Sequence, residues 1–140
     1  MTLIPVNPND YPTEFEPLDE GVVYDVVCRS FEIAPKLDKN DDKYLTAVIE
    51  VLEPEMFRGR KIFENYIGIP KELDPDMSAG ERYAALNSGI KFSQFCKCFN
   101  VQSTVDGLDT SSALGQMGKV SVKNGEYQGR KQSRVKDYLF

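Results

Sequence analysis

The order of strand-like and helix-like segments constrains the fold of this chain more than any other feature of its sequence. Three stretches rich in β-branched and aromatic residues come first, one helix-like stretch follows, and two more strand-like stretches come last. The strand-like stretches are residues 21–33, 44–52, 60–69, 119–123 and 131–138, and the helix-like stretch is 78–99. This order predicts a mainly β domain with one helix between its third and fourth strands.

The helix is predicted from its start signal and its apolar face. Ser78 and Glu81 have the spacing of a capping box. The residues that share the apolar face are Ala85, Phe92, Phe95, Cys96 and Phe99. Gly89 lies on the same face, where we expect it to allow close approach to a strand. Five strands with a helix after the third have the order of an OB-fold, so we predict a five-stranded, OB-fold-like Greek-key barrel.

Side-chain alternation predicts which residues of the strands face the core. In the second strand the apolar set is Leu45, Ala47, Ile49 and Val51. Successive side chains of a strand point to opposite faces, so we expect this set to be buried and Tyr44 to face outward. In the third strand the same period places Phe63 and Tyr66 on opposite faces. We therefore expect at most one of them to be exposed, with Tyr66 at the edge of the core.

Turn and bend signals define the ends of the strands. Asn124 and Gly125 form the strongest two-residue hairpin signal, and we expect them to make the turn before the last strand, with residues 126–129 extending it. We expect the first strand to bend near Arg29. Residues 1–20 contain four of the eight prolines and five acidic residues, which predicts an extended, Pro-rich N-terminal arm. Tyr11 and Phe15 could hold this arm against the domain formed by residues 21–140, and the alternative is a disordered leader.

The composition argues against an enzyme, a bound metal and a secreted protein. The chain has no histidine, which removes the commonest general base and a frequent metal ligand. Its three cysteines, Cys28, Cys96 and Cys98, are an odd number that favours free thiols in a reducing compartment. We expect Cys96 to pack on the core side of the helix and Cys98 to be incidental. There is no secretory signal and no apolar stretch of membrane-spanning length. We therefore expect a cytoplasmic, non-enzymatic protein without a cofactor.

Charge is distributed unevenly along the chain, although the net charge is −5. Residues 1–57 hold 13 acidic and four basic side chains, whereas residues 58–140 hold nine acidic and 13 basic ones. A basic strip can bind a polyanion on an acidic protein, because salt screens charges more than about 8–10 Å away. We expect the acidic N-terminal half to lie away from such a strip. The alternative is an ordinary charged surface whose asymmetry arises by chance.

Single-stranded nucleic acid is bound by cations that contact phosphates and by aromatic rings on which bases stack. The cationic candidates are Arg58, Arg60, Lys61, Arg130, Lys131, Arg134 and Lys136. Tyr44 and Phe63 are the best stacking candidates, and Tyr66, Tyr127 and Tyr138 are weaker ones. For each ring, half-buried packing within the domain is the alternative role.

Three segments of the chain resemble one protein family. They are residues 59–65, residues 90–96 of the helix and residues 124–138 at the end. Over about residues 20–140 the chain resembles the phage-encoded single-stranded-DNA-binding proteins, which are small OB-fold proteins of replication and recombination modules. The resemblance implies sequence-independent binding of single-stranded DNA during phage DNA replication or recombination, in the cytoplasm of a bacterial host. The partners expected are single-stranded DNA and replication or recombination proteins, with no membrane, and several copies of the chain could assemble.

A second interpretation is a protein-interaction module or an accessory component of the virion that has the same fold but binds no nucleic acid. The acidic N-terminal half favours it, since that half would repel phosphate. An oligonucleotide titration at two salt concentrations separates the two interpretations, because phosphate contacts make affinity salt-dependent.

Overall fold

The structure is a computed structural model that describes residues 1–12 and 16–140. The strands in these residues are β1 (Val23–Ile33), β2 (Tyr44–Glu53), β3 (Lys61–Gly68), β4 (Gln102–Thr104), β5 (Gly107–Asp109), β6 (Met117–Tyr127) and β7 (Arg130–Leu139). The α-helices are α1 (Ala79–Ser88) and α2 (Ile90–Cys98). Within the described ranges, neither helix has the length and apolar character needed to cross a membrane.

Five strands form one antiparallel sheet in the order β3-β2-β1-β6-β7, and β4 and β5 form a separate short hairpin. The predicted order of three strands, a helical segment and two strands is confirmed for the main sheet. In the described residues, no β-ladder joins the edge strands β3 and β7, so the sheet is not closed into a barrel. The protein is therefore mainly β, with an open five-stranded sheet and two helices.

The core lies between the inward-facing strand residues and helix α2. The alternation predicted for β2 is confirmed, because its apolar set is no more than 2% exposed: Leu45, Ala47, Ile49 and Val51. The ring of Phe95 on α2 lies 4.5 Å from that of Phe31 on β1 and 4.8 Å from that of Phe99. Burial of these rings attaches α2 to the sheet.

Two of the four register shifts in the described part of the sheet bear on the predictions. In β1, Cys28 pairs with Ile49 and Ser30 with Val48, so Arg29 is the extra residue. The bend predicted near Arg29 is confirmed, because a bulge bends its strand.

The second bulge overturns the prediction for the aromatic residues of β3. Leu45 pairs with Ile67 and Ala47 with Glu64, so β3 has one more residue than β2 over this interval. The extra residue breaks the period of two and brings Tyr66 to the outer side of the sheet. Phe63 is 54% exposed and Tyr66 50% exposed, so the expectation that at most one would be exposed is wrong.

The helical segment starts as predicted but is divided in two. The N–H of Glu81 donates to Ser78 Oγ at 3.2 Å, which confirms the N-terminal cap. Gly89 ends α1 and precedes α2 with φ −93° and ψ 0°, so the single helix predicted over residues 78–99 is wrong. A Cβ atom at Gly89 would lie 3.0 Å from Cβ of Pro70. The close approach predicted at Gly89 is therefore to the loop after β3 and not to a strand.

The turn between the last two strands lies four residues later than predicted. Gln128 and Gly129 have φ values of 53° and 77°, which suit a two-residue turn of the primed type. Asn124 pairs with Ser133 inside the β6–β7 ladder, so the hairpin predicted at Asn124 and Gly125 is wrong. The side chain of Asn124 instead forms long-range hydrogen bonds that fix the arm.

Cys98 has a packing role that its sequence position does not suggest. It is 8% exposed, whereas Cys96 is partly buried against the core. A Cβ atom at Gly118 would lie 2.7 Å from Cys98 Sγ, so a glycine in β6 is what allows the end of α2 to approach the sheet. The interpretation of Cys98 as incidental is wrong.

Candidate functional site

A groove runs between the first parts of β3 and β7, where the sheet is open. Its volume is about 1110 Å³. The groove is lined by the turn before β3, by β3 itself, by the start of β7 and by part of the arm. Seven of the nine predicted site residues line this groove: Arg58, Arg60, Lys61, Phe63, Arg130, Lys131 and Arg134. The fold thus brings together side chains from two distant parts of the sequence.

The arm bridges the open seam at one end of the groove. Arg60 donates from Nη2 to the backbone carbonyl of Glu16 at 2.7 Å. The N–H of Leu18 donates to Ser133 Oγ on β7 at 3.0 Å, and the Leu18 carbonyl accepts from Asn124 Nδ2 on β6 at 2.8 Å. Leu18 is 1% exposed, so this part of the arm is fixed in the fold. The expectation that the acidic N-terminal half lies away from the site does not hold for Glu16, which lines the groove.

A buried polar contact joins β3 to β7 beyond the other end of the groove. The Tyr138 hydroxyl donates to Glu64 Oε1 at 2.7 Å, and Lys91 Nζ lies 2.8 Å from Glu64 Oε2. Burial, and then the charge of Glu64, raise the pKa of Tyr138 far above its ordinary value. Tyr138 is a core residue, so the prediction of Tyr138 as a weaker stacking candidate is wrong.

The groove has a strong excess of positive charge. Among the described residues, its lining carries six cationic side chains and one carboxylate. Arg58 lies 2.7 Å from Glu53, but both side chains are more than half exposed, so the ion pair is weak. In the part of the chain that the structure describes, no ion pair within 4.0 Å involves Arg130, Lys131 or Arg134. These cations are available to an anionic ligand, and their combined field attracts one.

Phe63 is the exposed aromatic ring of the groove. It follows Lys61 by two residues, so both side chains point to the outer side of β3. The neighbouring Phe57 is partly buried and packs edge-on against Tyr24, with ring centroids 5.8 Å apart. Phe63 therefore offers a ring face next to cations, which is the combination that binds single-stranded nucleic acid.

Tyr44 does not line the groove. It is partly buried, and its ring centroid lies 4.9 Å from that of Tyr66. The Tyr66 hydroxyl donates to Asp38 Oδ2 at 3.0 Å, and this hydrogen bond raises the pKa of Tyr66. Hydrogen bonds from the backbone of Asp42 and Asn40 lower the pKa of Asp38. Tyr44 and Tyr66 thus form a fixed aromatic pair farther along β3.

Two other predicted residues also fall outside the groove. Lys136 is exposed on β7 but does not line it. The side chain of Tyr127 lies outside the described part of the structure, as does Phe15 of the arm. Tyr11, expected to hold the arm, is 63% exposed.

Sequence reasoning missed several residues that line the groove. Asn65 and Gln132 supply polar groups, and Met56 is largely exposed at the turn before β3. The period of two relates Asn65 to Phe63, so this residue could have been found from the sequence. The presence of Pro17 and Leu18 in the lining could not have been found from the sequence, because it depends on the long-range contacts of Asn124.

No protein-family model matches this chain, and no curated protein matches it.

Proposed function

We propose that the protein binds single-stranded DNA without sequence preference in the groove between β3 and β7. The observation that carries the proposal is the convergence of six cations and one exposed aromatic ring on this groove. Cations contact phosphates of any sequence, and every base has a face that can stack on a ring. Both contacts are therefore independent of sequence.

The fold supports the proposal without deciding it. The strand order β3-β2-β1-β6-β7 is that of an OB-fold barrel opened between its two remaining edges. We therefore propose an OB-fold-like domain in which the open seam is the ligand groove. The Tyr44–Tyr66 pair lies beyond Phe63 along β3 and provides a second ring surface for longer strands.

The biological role that we propose follows from the resemblance to phage single-stranded-DNA-binding proteins. The protein would cover single strands during phage DNA replication or recombination and present them to other enzymes. In this role the cations of the groove contact the phosphates and the ring of Phe63 stacks on a base, so no catalytic step is needed.

The test is a titration of fluorescent oligo-dT at several salt concentrations. Each phosphate contact on a single strand contributes about −0.7 to the slope of log affinity against log salt. Arg134→Gln should therefore reduce the magnitude of the slope by about 0.7. Lys136→Gln is the matched control, because it removes a cation from the same strand outside the groove. Equal slopes for both variants would contradict the proposed site.

Stacking is tested separately with Phe63→Ala. Loss of a stacked base costs about 1–3 kcal/mol, or roughly five- to 150-fold in affinity. The salt slope should not change, because stacking releases no counterions. If the wild-type protein does not bind oligo-dT even at low salt, the function proposed here is wrong.

The protein-interaction module remains the second candidate, and one observation favours it. A separate apolar groove lies against helices α1 and α2, with Leu86 and Ile90 half exposed. Exposed apolar patches of this kind are typical of protein contacts. Failure to bind DNA together with capture of a protein partner at this groove would select the second candidate.

A further inference from the structure

The second groove is formed by α1, α2 and the loop after β3. Its volume is about 470 Å³. The apolar side chains that the argument uses are Leu73, Leu86, Ile90 and Phe140. Each is about half exposed or more, so together they form an apolar surface that residues 1–12 and 16–140 of the single chain leave uncovered. Such a surface is a candidate for contact with another segment of protein.

The charge of this groove restricts what can cover it. Lys71 and Lys97 line it, and no acidic side chain in the described ranges does. Lys97 Nζ lies 5.8 Å from the ring centroid of Phe140. The groove therefore suits a segment that combines apolar side chains with negative charge, since the lysines would repel a basic one.

The N-terminal arm has this combination. Leu3, Ile4 and Val6 are each more than half exposed. The part of the arm before Glu16 contains two acidic residues, Asp10 and Glu14, and no basic side chain. Four prolines favour an extended conformation, which lowers the entropy lost when the segment docks.

The part of the arm next to the domain is held away from the second groove of the same chain. Its residues from Glu16 onward are held at the first groove by Arg60, Asn124 and Ser133. None of the described arm residues lines the second groove. The 15 residues before Glu16 can extend by up to about 50–54 Å, which is enough to reach a neighbouring molecule.

We propose that the groove beside α1 and α2 binds the N-terminal arm of a second copy of this chain. Leu3, Ile4 and Val6 occupy the apolar surface, and Asp10, which follows them in the arm, lies near Lys71 and Lys97. Repeated head-to-tail docking gives a chain of molecules, whereas a reciprocal exchange gives a dimer. The contact is small, so its affinity is expected to be weak, in the micromolar range or above.

The test is sedimentation velocity of the full chain from about 5 to about 500 µM without nucleic acid, a range that brackets weak association. The average mass should rise with concentration. Ile90→Glu should raise the apparent dissociation constant at least about tenfold, because it adds a negative charge to the apolar surface. Glutamate in the first turn of a helix is otherwise well tolerated. Ile4→Asp in the arm should have the same effect.

Tyr83→Glu is the matched control, because Tyr83 is an exposed aromatic residue on α1 that does not line the groove. Far-UV circular dichroism checks that each variant is folded. A monomer at every concentration would overturn the proposal, and so would association that survives either Ile90→Glu or Ile4→Asp.

The outcome is independent of the proposed DNA binding. The second groove shares no lining residue with the first. Oligo-dT affinity measured below the association range should be the same for Ile90→Glu as for the wild type. A protein that associates but does not bind DNA refutes only the proposed function, and one that binds DNA but stays monomeric refutes only arm docking.

Discussion

Replacing Tyr138 by Phe removes a single hydroxyl group from the contact that joins β3 to β7. That hydroxyl donates to Glu64 Oε1 at 2.7 Å, and both residues are at least 92% buried. The ring is retained, so its edge-on contacts with Phe95 and Phe99, at centroid distances of 5.7 and 6.3 Å, should persist. The substitution therefore isolates one hydrogen bond to a buried carboxylate.

The size of the effect follows from the groups that remain. A hydrogen bond to a charged group contributes about 1.5–3 kcal/mol to stability. Glu64 keeps its ion pair with Lys91 at 2.8 Å, so the carboxylate is not left without a partner. We expect Tyr138→Phe to lower the free energy of unfolding by about 2 kcal/mol. With a urea m-value of about 2 kcal/mol/M, the unfolding midpoint falls by about 1 M.

High pH provides a second readout of the same hydroxyl. Burial and the charge of Glu64 raise the pKa of Tyr138 in the folded protein above its ordinary value of 10.0. Above pH 10 the unfolded chain loses this proton and the folded protein keeps it, so the stability due to Tyr138 falls as pH rises. At pH 10.5 the wild type should lose roughly 0.8 kcal/mol from this source, and Tyr138→Phe should not. The difference between the two proteins should shrink accordingly.

The measurement is equilibrium urea unfolding followed by circular dichroism at pH 7 and pH 10.5. Tyr83→Phe is the control, because this hydroxyl is on an exposed side chain of α1. Its free energy of unfolding should stay within about 0.5 kcal/mol of the wild type. The reasoning is refuted if Tyr138→Phe is equally neutral at pH 7, or if its difference from the wild type grows at pH 10.5.

Two more predictions concern the packing of α2 and the thiols. Gly118→Ala should lower the free energy of unfolding in urea by about 1–3 kcal/mol, because its Cβ would lie 2.7 Å from Cys98 Sγ. Gly125→Ala in the same strand is the control, because its Cβ would meet no atom within 4 Å. Equal stabilities of the two variants would contradict this prediction. Burial raises the pKa of Cys28 and of Cys96 to about 11, and Cys98 is also buried. At pH 8 a thiol reagent should therefore react slowly with the native protein, whereas in urea it should react rapidly with all three thiols. Two or more fast thiols in the native state would disprove it.

The features that could be predicted from the sequence are those that depend on neighbouring residues. The buried set of β2 follows from the period of two, and the start of α1 follows from the capping box of Ser78 and Glu81. The cations of the groove were predicted because they cluster along the chain near Arg60 and near Arg134. These signals are local, so they remain readable without a structure.

The features that could not be predicted depend on contacts between distant residues. The bulge that exposes Tyr66 is a mismatch between β2 and β3, which neither strand reveals alone. Asn124 has the local signal of a turn, but its hydrogen bonds to Leu18 and its pairing opposite Ser133 keep it within a strand. In both cases tertiary contacts outweigh a local preference, as is common for strands and turns.

The open seam between β3 and β7 also bears on how the protein avoids aggregation. Two sheet edges that are not paired with each other can accept strands from other chains, and charged side chains along an edge oppose this. β7 carries four such charges among its first seven residues: Arg130, Lys131, Arg134 and Lys136. These charges oppose strand addition at the edge, and three of them, Arg130, Lys131 and Arg134, also line the groove. A variant stripped of these charges should therefore be more prone to aggregation than the wild type.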